Sequence, residues 1–529
     1  MSKRHVMAID AGTGSGRAIV YDLTGAVIGS AQEEWVHPIA PGVPGGLDFD
    51  TANNGALIDR VIRAAIADAE LTAADIAAVS TTSMREGFVL YDAGGEVLWA
   101  CPNIDGRARA EADKLTRAEV SDQVFRIGGD WVSLTAPARL LWLRENTPEV
   151  IERASHMGML SDWMATRLTG AYCTDPSAGS SSALFDLQAR NWSDTLFEAT
   201  NLDRAIAPRV VEAGEVVGQV TASAAARSGL REGTPVVAGG ADTQLALLGL
   251  GRMAGQATLV GGSFWQMTVL TDRPLIDPGR APRTLCHVRP GEWMTEGIGF
   301  LSGFALRWLR DAFLDPLLKT ADSEINSFDL IEKLAVKVPP GAGGVIATTA
   351  APMQSDNWHQ PPLSFLGFDL NAPGPAVGQL ARAVMETGAY LAHAHLLKLE
   401  ELSGRRYDTI QFTGGSARGG LWPQIVADVT GREIEIPEVK ETTALGCAML
   451  AAVGAGLFAT TEEAIGAMTS SIERRVRPDP AKTVAYRDHQ NRWAEVTLGT
   501  AAMSEQGLLE AIWRPAGAKS TEMTPIQKV

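Results

Sequence analysis

The pattern that most constrains this fold is a strand, a glycine-rich turn and a second strand, which occurs once in each half of the 529-residue chain. In the first half, apolar residues 5–10 precede the turn 11–16, and a second strand is predicted over 17–22. In the second half, strands predicted over 258–260 and 264–270 flank another glycine turn. Glycine permits the sharp backbone reversals that join neighbouring strands. The repetition predicts a duplicated α/β domain with a ligand cleft between the two halves.

Other segments show how each half continues. The predicted strands 76–81, 234–238 and 409–413 each end in glycines or polar residues. In α/β sheets, ligand-binding groups commonly lie at such strand ends. Helical spacing of apolar residues predicts helices over 56–69, 243–250 and 421–429, and the uncharged run 442–461 predicts a helix packed against a sheet.

The two halves predict an N-terminal domain over 1–245 and a C-terminal domain over 246–515. The polar residues 516–529 predict a flexible tail. Nothing in the sequence specifies more about assembly than a monomer or a homodimer.

Composition limits the class of partner. The net charge of −16 argues against a nucleic-acid-binding surface, because phosphate contacts are made mainly by Lys and Arg. The four cysteines are far apart and form no CxxC pair, which predicts reduced thiols and no zinc ribbon. The N-terminus meets a predicted strand without an apolar signal region. We expect a cytoplasmic protein with no membrane or nucleic-acid partner.

The turn after Asp10 is the first candidate for chemistry. Its backbone N–H groups and the hydroxyls of Thr13 and Ser15 could bind a phosphate, and Arg17 could neutralise phosphoryl charge. A carboxylate at the strand end could hold Mg²⁺. The alternative is an ordinary glycine-rich hairpin. A dinucleotide-binding motif is excluded because the glycine spacing is wrong and no helix follows, and the chain has no Walker A motif.

Asp242 is the second candidate. It follows two glycines at a strand end and precedes a predicted helix, so its carboxylate would lie at the rim of a cleft. A base there could accept a proton from an attacking hydroxyl. The alternative is a helix N-cap, a position that Asp commonly occupies.

Three further features have both a functional and a structural interpretation. Gly414 and Gly415 could let a nucleotide lie against the backbone, or could form a tight strand-to-helix connection. Arg85 and Glu86 could hydrogen-bond a polyhydroxylated substrate, or could form a solvated ion pair. Trp265 could wall a small pocket, or could pack in a core.

Taken together and in chain order, these motifs resemble the FGGY carbohydrate kinases, a branch of the sugar kinase/Hsp70/actin superfamily. The resemblance implies an α/β fold of two actin-like (ribonuclease H-like) domains with a cleft between them. It also implies an ATP- and Mg²⁺-dependent kinase that phosphorylates a terminal hydroxyl of a small sugar-like substrate. Two residues depart from the family pattern, which usually has Lys where Arg139 stands and often a third glycine where Ala241 stands. The matching segments are 10–17, 134–142, 161–163, 168–170, 239–242, 303, 307–311, 414–416 and 443–446.

Within this family, other segments resemble the autoinducer-2 kinases, which phosphorylate the quorum-sensing signal 4,5-dihydroxy-2,3-pentanedione. The alternatives are a kinase of a pentulose or polyol (xylulose, ribulose, glycerol or erythritol) and a non-catalytic nucleotide-binding switch. A base at Asp242 would discriminate a kinase from a switch. The segments are 83–87, 89–91, 99–101, 261–266 and 439–441.

The family resemblance implies a role for each candidate residue. Asp242 becomes the catalytic base that also contacts the substrate, and Asp10 becomes the Mg²⁺ partner, acting through water. The residues implied to bind nucleotide or phosphate are Thr13, Gly14, Ser15, Arg17, Ser263, Gly303, Arg307, Gly415 and Gly419. The residues implied to bind substrate are Arg85, Glu86, Thr243, Gln244 and Trp265.

Overall fold

The structure is a computed structural model. It describes residues 5–262, 264–299, 302–321, 325–349, 361–371, 374, 376–438, 441–469 and 471–510. The predicted tail 516–529 and the predicted phosphate-binding residue Ser263 lie outside the described residues.

Strands and helices alternate along the chain. The strands are β1 His5–Ala11, β2 Ser15–Tyr21, β3 Val27–Glu34, β4 Ile76–Ser83, β5 Phe88–Tyr91, β6 Val97–Cys101, β7 His156–Met159, β8 Cys173–Thr174, β9 Phe185–Asp186, β10 Asn191–Trp192, β11 Arg209–Val210, β12 Val216–Gln219, β13 Pro235–Ala241, β14 Ala257–Gly261, β15 Trp265–Thr271, β16 Arg283–Cys286, β17 Trp293–Gly299, β18 Ile346–Thr348, β19 Ser364–Leu366, β20 Thr409–Thr413, β21 Glu433–Pro437 and β22 Ile472–Val476. The helices are α1 Thr51–Asp68, α2 Arg109–Arg117, α3 Val120–Gly128, α4 Ala136–Asn146, α5 Pro148–Arg153, α6 Leu160–Thr169, α7 Pro176–Ser180, α8 Asp194–Ala199, α9 Ala222–Ser228, α10 Asp242–Gly249, α11 Ser302–Leu309, α12 Asp315–Thr320, α13 Ser327–Ala335, α14 Ala376–Ser403, α15 Leu421–Thr430, α16 Thr442–Gly454, α17 Thr461–Met468 and α18 Pro480–Glu505.

Two large sheets share the topology of six strands, and the second has one additional edge strand, β16. The first has the order β12-β13-β4-β1-β2-β3, and the second has the order β16-β17-β15-β14-β20-β21-β22. In the first, β1 pairs antiparallel with β2 and parallel with β4, which pairs parallel with β13. In the second, β14 pairs antiparallel with β15 and parallel with β20, which pairs parallel with β21. The predicted duplication of the strand–turn–strand unit is therefore confirmed, and the fold is mixed α/β.

The parallel strands determine where the candidate residues meet. Because β1, β4 and β13 run in the same direction, their carboxyl ends lie at one edge of the first sheet. In the strand register, Ala11 and Ala241 both lie beside Ser83. Asp10 precedes Ala11, Asp242 follows Ala241, and Arg85 lies two residues after Ser83. All three are thereby brought to one edge of the sheet. The last strand of the first sheet ends at Ala241 and the second sheet begins at Ala257, but the predicted division at 245/246 stays a prediction.

Helix α16 connects the two halves. It begins in the second half of the chain and packs on β1, β4 and β13 of the first sheet, as well as on α10. Gly446 on α16 lies against the backbone of Leu245, and Gly249 on α10 lies against the backbone of Thr442, so the two helices approach at backbone distance. The prediction of a helix packed on a sheet is confirmed for this segment. In the described part of the chain, no helix has both the length and the apolar character needed to cross a membrane.

Most predicted elements lie within a few residues of the observed ones, and α1 is the main exception. The helix begins at Thr51, five residues before the predicted start. The side chain of Asp50 accepts hydrogen bonds from the N–H groups of Ala52 and Asn53 and so caps the helix. Because the first turn of α1 consists mainly of polar residues, the spacing of apolar residues predicted a start that is too late.

Candidate active site

Asp10 and Arg17 face each other across the first hairpin. Asp10 is buried near the end of β1, and its Oδ2 accepts hydrogen bonds from Nε of Arg17 at 3.1 Å and from Nη2. Nη1 of Arg17 donates to Oε2 of Glu441 at 2.7 Å. Glu441 is the residue that immediately precedes α16. Burial raises the pKa of Asp10, and the guanidinium of Arg17 opposes that shift. Arg17 therefore joins the first hairpin to the second half of the chain.

The glycine turn of this hairpin is open to solvent. Gly12 N–H donates to the carbonyl oxygen of Ser15 at 3.0 Å, which closes the turn. Thr13 and Gly14 are exposed at its tip, and a Cβ added to Gly14 would meet no atom within 4 Å. The hydroxyl of Ser15 accepts a hydrogen bond from Gln32. The turn thus leaves room for a ligand beside Asp10 and Arg17.

Asp242 is the first residue of α10, immediately after β13. The N-cap is Ala241, so the alternative of a capping aspartate does not describe this position. Oδ1 of Asp242 accepts a hydrogen bond from the N–H of Thr243 at 2.6 Å, and the carbonyl oxygen of Asp242 accepts one from Oγ1 of Thr443 at 3.3 Å. Thr443 belongs to α16, so the second half of the chain contacts the backbone of Asp242, while Thr243 contacts its carboxylate.

A buried network of hydrogen bonds stabilises the junction between β13 and α10. Oγ of Ser177 donates to Oδ1 of Asp175 and accepts a hydrogen bond from the N–H of Ala241 at 3.0 Å. Gly240 lies directly over these two side chains, and a Cβ there would overlap Oγ of Ser177. Glycine at 240 therefore allows the close packing that places Asp242.

The environment of Asp242 suits a base. The side chain of Asp242 is 37% exposed, but this exposed part faces the cleft, where the protein surrounds it. Desolvation by the surrounding protein raises the pKa of Asp242 to about 6. The nearby Arg85 guanidinium opposes the shift, and Asp10 adds to it. Nε of Arg85 lies 4.0 Å from Oδ1 of Asp242. A carboxylate with this pKa is ionised at neutral pH and is a stronger base than an exposed aspartate.

Arg85 and Glu86 are not a solvated surface pair. Arg85 is buried, and its Nε lies 3.9 Å from Oε1 of Glu86. Arg85 Nη1 donates to Oε1 of Glu296 at 2.6 Å. Glu86 accepts a hydrogen bond at Oε1 from Nη1 of Arg283 at 2.8 Å. Both partners come from the second sheet.

Arg139 holds the loop that carries Glu86. Its Nη1 donates to the carbonyl oxygen of Glu86 at 2.7 Å, and its Nη2 donates to the carbonyl oxygens of Asn103 and Asp105, each at 2.8 Å. Glu86 has φ +61°, a left-handed conformation that non-glycine residues seldom adopt. The planar fork of arginine can reach three carbonyls at once and so stabilises this strained loop.

A cavity of about 680 Å³ extends from Asp242 into the second half of the chain. Its lining includes Asp242 and Thr243 from the first half of the chain and Gly414 and Gly415 from the second. Gly414 has φ +94°, and a Cβ there would come within 3.0 Å of the backbone of Gly261, so the two strand ends are close enough that only glycine fits. Other lining residues include Gln266, Thr413, Arg418, Thr442, Thr443 and Arg474.

Some predicted site residues lie away from this cavity. Trp265 is buried between the rings of Phe412 and Trp422, at centroid distances of 5.3 and 4.9 Å, which corresponds to the core-packing alternative and not to a pocket wall. Gln244 is fully buried and donates to the carbonyl oxygen of Cys286 at 3.3 Å. Both side chains are therefore packed inside the fold.

The predicted nucleotide residues are only partly brought together. Gly415 lines the cavity. Gly419 is not among its lining residues, but the carbonyl oxygen of Gly419 accepts a hydrogen bond at 2.7 Å from Arg474, which does line it. Gly303 and Arg307 lie on α11 and are not among the lining residues; the guanidinium of Arg307 stacks over the ring of Phe304 at 5.3 Å.

Sequence reasoning missed four charged residues of the site: Asp130, Arg283, Glu296 and Glu441. Arg85 and Glu296 are 211 residues apart in sequence, and Arg17 and Glu441 are 424 residues apart. No local pattern distinguishes a strand residue such as Glu296 from a solvated one. The partners of these four residues become evident only in the folded structure, where the two halves of the chain come together.

Two family models match the chain. Residues 5–249 match the N-terminal domain, and residues 260–455 the C-terminal domain, of the FGGY family of carbohydrate kinases. The chain is 39% identical over 521 residues to the autoinducer-2 kinase of Salmonella typhimurium, covering 98% of each protein. It is also 39% identical over 518 residues to the autoinducer-2 kinase of Yersinia pestis, covering 97% of this chain and 98% of the relative.

Solved structures share the fold. The xylulose kinase of Rhodospirillum rubrum superposes with a TM-score of 0.82 at 24% identity, covering 94% of this chain and 99% of that structure. The gluconate kinase of Lactobacillus acidophilus superposes with a TM-score of 0.83 at 18% identity, covering 95% and 99%. These neighbours support the two-domain actin-like fold.

Proposed function

Because the chain belongs to the FGGY family of carbohydrate kinases, and is thus an ATP-dependent phosphotransferase with an alcohol group as acceptor, we propose that its acceptor is 4,5-dihydroxy-2,3-pentanedione, autoinducer-2. The proposal follows the full-length relatives, which are autoinducer-2 kinases. The observation that carries the assignment of the site is the position of Asp242: it lines the large cavity and also lies beside the buried pair Arg85–Glu86.

On the acceptor side, Arg85 and Glu86 offer complementary hydrogen-bonding groups. A guanidinium donates and a carboxylate accepts, so the pair can bind the oxygens of a small hydroxylated ketone in one orientation. Thr243 follows Asp242 at the start of α10 and lines the cavity. The base Asp242 then accepts the proton of the terminal hydroxyl as that oxygen attacks the γ-phosphorus of ATP. The bond between this phosphorus and the β–γ bridging oxygen breaks, and ADP leaves with the bonding electron pair.

On the nucleotide side, the cavity between Asp242 and Gly414–Gly415 has space for ATP. Thr13, Gly14, Ser15 and Arg17 would bind its phosphates from the first hairpin, and Gly415 and Gly419 would lie along the nucleotide. We also keep Gly303, Arg307 and Ser263 as proposed nucleotide contacts on the family resemblance alone. Since such a kinase consumes ATP, we propose that it works in the cytoplasm.

Asp10 fits the proposed Mg²⁺ site. Its Oδ1 is buried and has no hydrogen-bond partner among the described residues, whereas its Oδ2 is paired with Arg17. Mg²⁺ keeps several waters and is usually bound by one or two carboxylates together with substrate phosphates. The ion would neutralise charge on the phosphates of ATP. Asp10 and Arg17 would hold the phosphate end of the cleft in place around it.

The substrate is tested with MgATP and a panel of acceptors: the pentanedione, xylulose, ribulose, glycerol, erythritol and gluconate. We expect kcat/KM for the pentanedione to exceed every other value by at least about tenfold, equivalent to about 1.4 kcal/mol of transition-state discrimination. A preference for a pentulose or polyol would retain the kinase site and reject autoinducer-2 as its acceptor. No turnover with any acceptor would favour the nucleotide-binding switch.

The base is tested by Asp242→Asn, which keeps the size of the side chain and removes its basicity. We expect turnover to fall by at least about 10²-fold while ATP binding changes little. Asp194→Asn is the matched control, since Asp194 is also the first residue of a helix but is 90% exposed. Near-normal turnover in the Asp242 variant would remove this residue from the mechanism.

A further inference from the structure

Two buried residues of the second sheet lie against the proposed acceptor site. Arg283 on β16 and Glu296 on β17 are directly opposite each other in the strand register. Oε1 of Glu296 accepts a hydrogen bond from Nη1 of Arg85 and another from Nε of Arg283, both at 2.6 Å. Glu296 is fully buried, so it cannot contact solvent and acts through the residues that it touches.

Arg283 makes the second connection to the first half of the chain. Its Nη1 donates to Oε1 of Glu86 at 2.8 Å and to Oδ2 of Asp130 at 3.2 Å. The four side chains of Arg85, Glu86, Arg283 and Glu296 form a closed ring of alternating charge. Each member of the acceptor pair therefore has a partner of opposite charge in the second sheet.

The cost of burying these charges indicates a purpose other than stability. Taking ions out of water costs several kcal/mol each, and buried pairs often contribute little net stability. Arg and Glu side chains also have many rotamers when they are unrestrained. The ring restricts Arg85 and Glu86 to one arrangement, with Nε of Arg85 toward Asp242. In metal sites, removing the partners that orient the ligating side chains typically changes affinity or activity by about 10–100-fold, and we expect an effect of the same order here.

We propose that Glu296, together with Arg283, is a positioning residue for the acceptor, and that the second sheet thereby completes a binding site whose direct contacts come from the first half of the chain. The proposal rests on the proposed function, because it takes Arg85 and Glu86 as acceptor contacts. It adds that the second half of the chain sets the acceptor KM, in addition to any contacts with the nucleotide.

The test is Glu296→Gln, which keeps the shape of the side chain but removes the carboxylate charge that Arg85 and Arg283 share. We expect KM for the acceptor to rise by at least about tenfold, and KM for ATP to stay within about twofold of wild type. Glu386→Gln is the matched control. Glu386 is a buried carboxylate of the second half that pairs with Arg382 and Tyr486 away from the cleft. It should lower the melting temperature without changing KM for the acceptor.

A second variant keeps the proposal testable if Glu296→Gln does not fold. Arg283→Lys retains the charge but cannot reach Glu86, Asp130 and Glu296 at once, so the same selective rise in acceptor KM is expected. An unchanged acceptor KM, or an equal rise for acceptor and ATP, would overturn the positioning role. The measurements use whichever acceptor the wild-type enzyme turns over fastest. A different acceptor preference would then alter the proposed function and leave this test intact.

Discussion

At the scale of single residues, the chemistry depends on the protonation of Asp242. Its raised pKa of about 6 means that the carboxylate is protonated, and inactive as a base, below that pH. We expect kcat/KM to be level above about pH 7 and to fall about tenfold per unit below pH 6, since one proton blocks the base. A pH–rate profile for the wild-type enzyme measures this directly. A flat profile between about pH 5 and 7 would contradict the assignment.

A second buried carboxylate could produce the same profile. Burial raises the pKa of Asp130 to about 6 as well, although Arg283 opposes the shift. Asp130→Asn separates the two groups. Whatever its absolute activity, this variant should keep the acidic limb near pH 6 if Asp242 is the titrating group, and lose the limb if Asp130 is.

At the scale of elements, the contact between α10 and α16 determines where the base lies relative to the nucleotide cavity. Alanine normally stabilises a helix interior relative to glycine by about 1 kcal/mol. At position 446, however, a Cβ would overlap the carbonyl oxygen of Leu245 on α10. We expect Gly446→Ala to destabilise the protein by about 1–3 kcal/mol and to lower kcat, because the two helices must separate. Thermal unfolding and steady-state kinetics measure the two effects.

Gly466 provides the control for this substitution. It lies on the exposed face of α17, and a Cβ there would meet no atom within 4 Å. Gly466→Ala should leave kcat unchanged and raise stability by up to about 1 kcal/mol. Equal behaviour of the two variants would show that the helix contact does not constrain the site.

The elements also show what the sequence could predict. The bounds of β1, β20 and α10 differ from their predictions by no more than one residue, because apolar runs and glycines mark them clearly. The meeting of Asp10, Arg85 and Asp242 follows from parallel strands, whose carboxyl ends share an edge. Trp265 could not be placed, since an aromatic residue after a glycine turn has the same pattern whether it faces a pocket or a core. Glu296 and Glu441 were beyond prediction because their partners are hundreds of residues away.

At the scale of the whole molecule, both halves of the chain contribute residues to the proposed active site. The first half of the chain supplies Asp10, Arg17, Arg85 and Asp242, while the second half supplies Gly414 and Gly415, which line the cavity. Ion pairs and hydrogen bonds link the halves on the acceptor side through Glu296 and on the phosphate side through Glu441. Phosphoryl transfer depends mainly on positioning and charge, so an enzyme of this class needs both links to be correct when the substrates are bound.

Arg17 is the link whose removal should be most costly to catalysis. Its guanidinium contacts Asp10 and Glu441 at once and lies beside the open turn 12–15, where it can neutralise charge on a transferred phosphoryl group. We expect Arg17→Gln to lower kcat by at least about 10²-fold with little change in KM for the acceptor, because this charge acts mainly in the transition state. Arg60→Gln is the control, since Arg60 on α1 pairs with Glu33 on β3 through a similar fork and both side chains are exposed. If Arg17→Gln retained near-normal kcat while KM for the acceptor rose, Arg17 would instead belong to the acceptor site, and charge neutralisation would have to come from other groups at the phosphate end of the cleft.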